Sequence, residues 1–159
     1  MRTLVVGVGN PLAGDDAIGP VVAEGLERTG RDGVTCVPFA GNGLDLLQRF
    51  AGDTPWDRVV VVDAMEGGDL EVGELARVTP PTVDPDDTSY MASHTVSILE
   101  ALTLARKMGV SIPGDVRFYA VGVSETVPFR EGLSPALKRR VPAIVEALAA
   151  EIADGLGDA

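Results

Sequence analysis

Two aspartates and a histidine have the types and the setting that metal or hydrolytic chemistry needs. Asp16 follows a glycine-rich turn, Asp63 ends an unbroken run of β-branched residues, and His94 is the only histidine of the chain. Two carboxylates and one imidazole suit a divalent ion such as nickel, zinc or manganese, and the sequence does not choose among these metals. We therefore predict that Asp16, Asp63 and His94 meet around one ion.

The glycine-rich turn, residues 7–16, can also be tested as a phosphate-binding loop. A dinucleotide fingerprint would need a third glycine where Leu12 stands. The spacing from Gly9 to Gly14 matches a P-loop, but two aspartates replace its lysine and hydroxyl residue. Carboxylates repel phosphate, so nucleotide binding is disfavoured and a metal-facing turn is preferred.

A simpler role for the paired aspartates is to cap the helix that follows them. The positive end of a helix favours a carboxylate, so one of the two could serve only this purpose. We assign capping or support to Asp15 and the metal ion to Asp16, although the two roles could be exchanged.

The elements that would position these residues alternate between strands and helices. Strands are predicted at residues 2–8, 34–39, 58–63, 71–79 and 115–123, and helices at about 16–29, 44–50, 94–108 and from 135 onward. This alternation predicts an α/β fold, a three-layer α/β/α sandwich with a mostly parallel central sheet. Pro38 predicts that the second strand lies near an edge of the sheet or that the proline stands at the end of the strand. Because ligands gather at the carboxyl ends of parallel strands, the three candidate residues are expected at one edge of the sheet.

Composition excludes several classes of protein. The 159 residues are expected to form one domain (1–159), and a net charge of -11 argues against nucleic-acid binding. Cys36 is the single cysteine, so an intramolecular disulfide and a cysteine-based metal site are ruled out, and we expect it to pack rather than react. The sequence shows neither a signal peptide nor a membrane-length apolar stretch, which predicts a cytoplasmic protein without membrane association. A Gly-x-Ser-x-Gly motif, typical of α/β-hydrolases, is not present.

Four segments together resemble the hydrogenase maturation proteases, the endopeptidases that process the large subunit of nickel–iron hydrogenases. The segments are Gly7-Val8-Gly9-Asn10-Pro11-Leu12-Ala13-Gly14-Asp15-Asp16-Ala17-Ile18-Gly19, Val62-Asp63-Ala64, Ser93-His94, and the late run from Val121-Gly122-Val123 through Gly132-Leu133-Ser134-Pro135. Each is a weak signal by itself, whereas their order and spacing along nearly the whole chain are specific.

The resemblance implies a substrate, a metal and a set of site residues. Such proteases remove a short C-terminal extension from the large-subunit precursor after nickel insertion, and the nickel serves as the recognition handle. The family's metal-contacting positions fall on Asp16, Asp63 and His94, and the nickel is expected to arrive with the substrate. Gly9 and Asn10, with the second glycine turn at Gly41 and Gly43, are assigned to the substrate loops. The protease itself is expected to be monomeric.

One segment departs from the family pattern, and the mechanism is left open. Many relatives carry an Asp-Gly-Gly-like motif after the second strand, where this chain has Val37-Pro38-Phe39-Ala40-Gly41 without an acidic residue. Water is the expected nucleophile, activated either by the ion or by Asp16 or Asp63 as general base. The main alternative is a nickel-binding chaperone without catalysis.

Overall fold

A computed structural model describes residues 1–40, 43–52, 55–79, 93–124 and 129–154; the side chains of residues 43, 44 and 93–97 lie outside this description. Five strands are present in these ranges: β1 (Thr3–Val8), β2 (Val34–Phe39), β3 (Arg58–Glu66), β4 (Leu75–Val78) and β5 (Asp115–Val123). The helices are α1 (Ile18–Glu27), α2 (Gly43–Phe50), α3 (Ser93–Lys107) and α4 (Pro135–Asp154), and a short 3-10 turn (Asp15–Ala17) precedes α1. The part of the chain that is described contains no helix long and apolar enough to cross a membrane.

The strands form one sheet in the order β2-β1-β3-β5-β4. All neighbouring strands run parallel except β4, which pairs antiparallel with β5. Helices α1 and α4 cover one face of the sheet, and α2 and α3 cover the other. The predicted three-layer α/β/α sandwich with a mostly parallel sheet is therefore confirmed.

The apolar runs of the sequence explain the two cores. In β3, successive valines alternate between the faces, so Val60 and Val62 pack under α1 and α4 while Val59 and Val61 pack under α2 and α3. Because both faces are covered, the strand has no polar side and reads as a continuous apolar run.

Strand β2 is an edge strand, as Pro38 predicted, and its outward-facing N–H groups are all occupied or missing. Alternate residues of an edge strand turn their N–H away from the sheet, and here these are Val34, Cys36 and Pro38. The Val34 N–H donates to the Arg31 carbonyl (3.2 Å) and the Cys36 N–H to the Glu27 carboxylate (2.9 Å). Proline has no N–H to offer.

Three predicted elements need correction. The strand expected at 71–79 is shorter, because residues 71–74 form a turn, stabilised by a hydrogen bond from the Glu74 N–H to the Glu71 carbonyl (3.0 Å). The helix expected at 16–29 is instead a 3-10 turn followed by the shorter α1. Asp63 does not end its strand, because β3 continues in register with β5 as far as Glu66.

Candidate active site

A glycine in the first turn of α1 sets the geometry of the candidate site. A Cβ at Gly19 would collide with the carbonyl oxygen of Val8 and would lie 2.6 Å from that of Val62. Helix α1 can therefore begin directly against the carboxyl end of β1 and the middle of β3. The 3-10 turn that carries Asp16 is consequently held beside the residue that follows Val62.

Asp16 lies half-buried in this turn and is fixed to the glycine loop. Its Oδ2 accepts a hydrogen bond from the backbone N–H of Asn10 (2.7 Å), and the Asn10 side chain accepts one from the N–H of Leu12 (2.9 Å). Gly9 has φ 153°, and a Cβ there would collide with the Asp16 carbonyl oxygen. The predicted substrate-loop residues Gly9 and Asn10 thus also hold the candidate metal ligand in place.

Asp63 lies at the level where β1 separates from β3, although β1 is still paired with β2 there. The ladder between β1 and β3 ends with the pair Gly7–Val62, whereas β3 and β5 remain paired beyond this point. The Asp63 side chain is buried, with 7 % of its surface exposed, and its Oδ1 accepts a hydrogen bond from the Ala64 N–H (2.8 Å). The structure therefore places Asp16 in the turn that follows β1, and Asp63 inside β3 at the level where its pairing with β1 stops.

His94 is the second residue of α3, but its side chain lies outside the described part of the molecule. Within the described residues, no group of three His, Cys, Asp or Glu side chains is arranged to hold a metal ion. A metal set of Asp16, Asp63 and His94 stays a prediction. Gly41 is also outside the description, and Gly43 begins α2.

Asp15 has a structural partner far along the chain. Its carboxylate is 4 % exposed and accepts two hydrogen bonds from Ser134, one from the backbone N–H (2.6 Å) and one from Oγ (2.8 Å). Neither the 3-10 turn nor α1 has a side-chain cap, so the prediction that an aspartate caps its own helix is wrong. Asp15 does have a supporting role, but it binds Ser134 at the start of α4 and does not cap its own helix.

Ser134 directly precedes Pro135, the first residue of α4. Its Oγ also accepts a hydrogen bond from the Leu137 N–H (3.4 Å), the geometry of an N-cap. Nothing in its local sequence indicated a contact with Asp15, which precedes it by 119 residues.

Cys36 is a poor nucleophile. Burial, followed by the hydrogen bond and negative charge of Glu27, raises the pKa of the Cys36 thiol to about 12. Since the thiolate is the reactive form, this cysteine is unreactive at neutral pH, in agreement with the packing role expected for it.

A family model described as "Hydrogenase maturation protease" matches residues 21–151. The chain belongs to the hydrogenase maturation protease family. The Escherichia coli (strain K12) hydrogenase 2 maturation protease is 28% identical over 153 residues, covering 94% of this chain and 90% of that protein. A putative hydrogenase maturation protease of Methanocaldococcus jannaschii is 27% identical over 151 residues, covering 94% of this chain and 95% of the relative.

Solved structures of hydrogenase maturation proteases share the fold. The E. coli endopeptidase HybD superposes with a TM-score of 0.71 at 26% identity, over 98% of this chain and 94% of HybD. The protease HycI from Thermococcus kodakarensis gives a TM-score of 0.69 at 26% identity, over 94% and 90% of the two chains. As a hydrogenase maturation protease, the protein is a peptidase.

Proposed function

We propose that this protease removes the C-terminal extension of a nickel–iron hydrogenase large-subunit precursor after nickel insertion, with the precursor's nickel as its recognition handle. Membership of the hydrogenase maturation proteases supports the reaction and the class of partner. The nickel-dependent step rests on the residue types at positions 16, 63 and 94.

The observation that carries the proposal is the close packing of α1 against the sheet at Gly19. Because the helix begins against Val8 and Val62, the turn bearing Asp16 and the strand position of Asp63 share one edge. A substrate-borne ion approaching this edge would meet both carboxylates, with His94 at the start of α3 as the proposed third ligand. Carboxylate and imidazole ligands are compatible with nickel.

In the proposed mechanism, nickel held by the precursor docks against Asp16, Asp63 and His94, and water attacks the scissile carbonyl carbon. One of the two carboxylates takes the proton from this water and returns it to the departing amine, so that the peptide bond is replaced by a carboxyl and an amino group. In the alternative version the substrate's ion activates the water. The protein's aspartates then serve only to bind.

Cleavage of a purified precursor tests the function, with nickel-loaded and nickel-free precursor incubated in parallel. We expect a loss of mass only for the nickel-loaded form, and a large loss of rate for Asp16→Asn, Asp63→Asn and His94→Gln. Glu146→Gln, an exposed acidic position on α4, is the matched control and should cleave like the wild type. Normal rates in all three site variants would refute the site.

Binding and cleavage measured separately distinguish the two mechanisms. A general base predicts that one Asp→Asn variant still binds nickel-loaded precursor but does not cleave it, whereas ion-activated water predicts that binding and cleavage fall together. Tight nickel binding without any loss of mass would instead support a chaperone. A monomeric state and a cytoplasmic location stay predictions, for which gel filtration and cell fractionation are the tests.

A further inference from the structure

We propose that Asp15 and Ser134 act as a positioning clamp, which holds the turn carrying Asp16 in its working place. This inference rests on the proposed function, since it gives Asp16 a role in the site. The clamp gives Asp15 and Ser134 a positioning task in the reaction, because they fix where the Asp16 carboxylate lies relative to Asp63.

The clamp joins two segments that are distant in sequence. Both Asp15 oxygens are used, Oδ1 by the Ser134 N–H at 2.6 Å and Oδ2 by the Ser134 hydroxyl at 2.8 Å. Hydrogen bonds to a charged group are stronger than neutral ones, and here the bond from the N–H is short while the bond from the hydroxyl has the ordinary length. The pair therefore forms a specific and directional link.

A second set of contacts holds the same turn from the preceding residues. The Gly14 N–H donates to the Arg130 carbonyl (2.8 Å), and Ala13 forms a parallel bridge with Arg130. The segment from Arg130 to Ser134 thus lies along the turn from Ala13 to Asp15. The residue that follows this clamped stretch is Asp16.

The surroundings of Asp15 explain why a carboxylate is suited to this task. Burying a charge is costly unless it is hydrogen-bonded, and here both oxygens have donors. Ser134 also lies at the amino end of the 20-residue helix α4, whose positive end favours a negative charge. Helix α4 packs on the sheet through its apolar stripe, so it supplies a rigid base for the turn.

The position of Asp16 has a reporter that does not depend on catalysis. The Asn10 N–H donates to Asp16 Oδ2 at 2.7 Å, so its exchange with solvent rises if the carboxylate moves away. The clamp predicts faster exchange of this amide in Ser134→Ala and Asp15→Asn. Ser134→Thr keeps the hydroxyl and should recover most of the protection that Ser134→Ala loses.

The matched control is Asp115→Asn, which alters another carboxylate that accepts charge-assisted hydrogen bonds. Asp115 contacts Arg58 and Arg117 at the amino ends of β3 and β5, the opposite end of these strands from Asp63. This variant should lose stability without changing the Asn10 amide or kcat.

Kinetics on the nickel-loaded precursor give the second readout, at a temperature where thermal unfolding shows every variant fully folded. We expect kcat to fall roughly 10- to 100-fold for Ser134→Ala and Asp15→Asn with KM nearly unchanged, the effect typical of losing a residue that orients a ligand. The double variant should be little worse than either single one, because both remove the same link.

The clamp would be overturned if Ser134→Ala and Asp15→Asn both kept the wild-type kcat and the wild-type exchange rate of the Asn10 amide. If Asp16→Asn cleaves normally, the proposed site fails, and Asn10 exchange alone then decides whether the clamp positions Asp16. The two proposals therefore fail in different measurements.

Discussion

Replacing Gly19 by alanine should separate the two candidate aspartates. The added Cβ would collide with the Val8 carbonyl and lie 2.6 Å from the Val62 carbonyl oxygen, and both obstacles are backbone atoms of central strands. Relief requires α1 to move outward by at least roughly 1 Å, since ordinary van der Waals contact with a carbonyl oxygen begins at about 3.4 Å. Overpacking of this kind costs about 1–3 kcal/mol of unfolding free energy. A misplacement of about 1 Å lowers the rate of cleavage roughly 100-fold.

Gly25→Ala, in the same helix, is the control for Gly19→Ala. There the new Cβ would meet Val145 Cγ2 at 2.8 Å, the tip of a side chain that can adjust. Replacing a helical glycine by alanine also gains up to about 1 kcal/mol, so Gly25→Ala should be close to neutral. Urea unfolding gives the free energies, and precursor cleavage gives the rates. If Gly19→Ala and Gly25→Ala had the same free energy of unfolding and the same cleavage rate, the close packing of α1 at Gly19 would not control the site.

Three further predictions concern pH, cysteine chemistry and backbone strain. Burial raises the pKa of Asp115, but hydrogen bonds and positive charges from Arg117 and Arg58 outweigh it and hold that pKa below its ordinary value. The resulting stabilisation is complete above about pH 4, the pKa of an aspartate in the unfolded chain, and it is lost as pH falls through the folded pKa. Asp115→Asn should therefore make the free energy of unfolding depend less on pH in the acid range. An unchanged pH dependence in that range would contradict this. Cys36→Ala should leave cleavage intact, and in the native protein this thiol should alkylate at pH 8 far more slowly than after unfolding, because its pKa is about 12. Phe129 has φ 62° and is 97% exposed, so Phe129→Gly should raise the unfolding free energy by about 1 kcal/mol, and a loss of stability would show that its side chain packs.

The sequence predicted the architecture well where local signals and burial agree. The β-branched run from Val59 to Val62 favours a strand covered on both faces, and it is the central strand. Pro38 identified an edge strand because proline lacks the N–H that an interior strand needs. The expectation that Asp16 and Asp63 lie near each other follows from the parallel order of β1 and β3.

What the sequence missed depends on contacts between distant residues. The continuation of β3 past Asp63 is set by its register with β5, which no local pattern of β3 encodes. The partner of Asp15 is equally non-local, so the local sequence predicts capping or support for this aspartate without indicating Ser134. The need for a glycine at position 19 also depends on distant residues, because it arises from the backbone atoms of Val8 and Val62.

The outward N–H groups of the edge strand β2 are not available to bind an added polypeptide strand. Recognition by strand addition draws its affinity from free main-chain donors and acceptors on a sheet border. Along β2 the outward donors are satisfied by Arg31 and Glu27 or removed at Pro38. An extended precursor tail would therefore gain few main-chain hydrogen bonds there, and the same feature discourages two copies of the chain from joining into a continuous sheet. The other edge strand, β4, and the loops at the carboxyl ends of the strands are then the remaining places where the proposed substrate could be recognised.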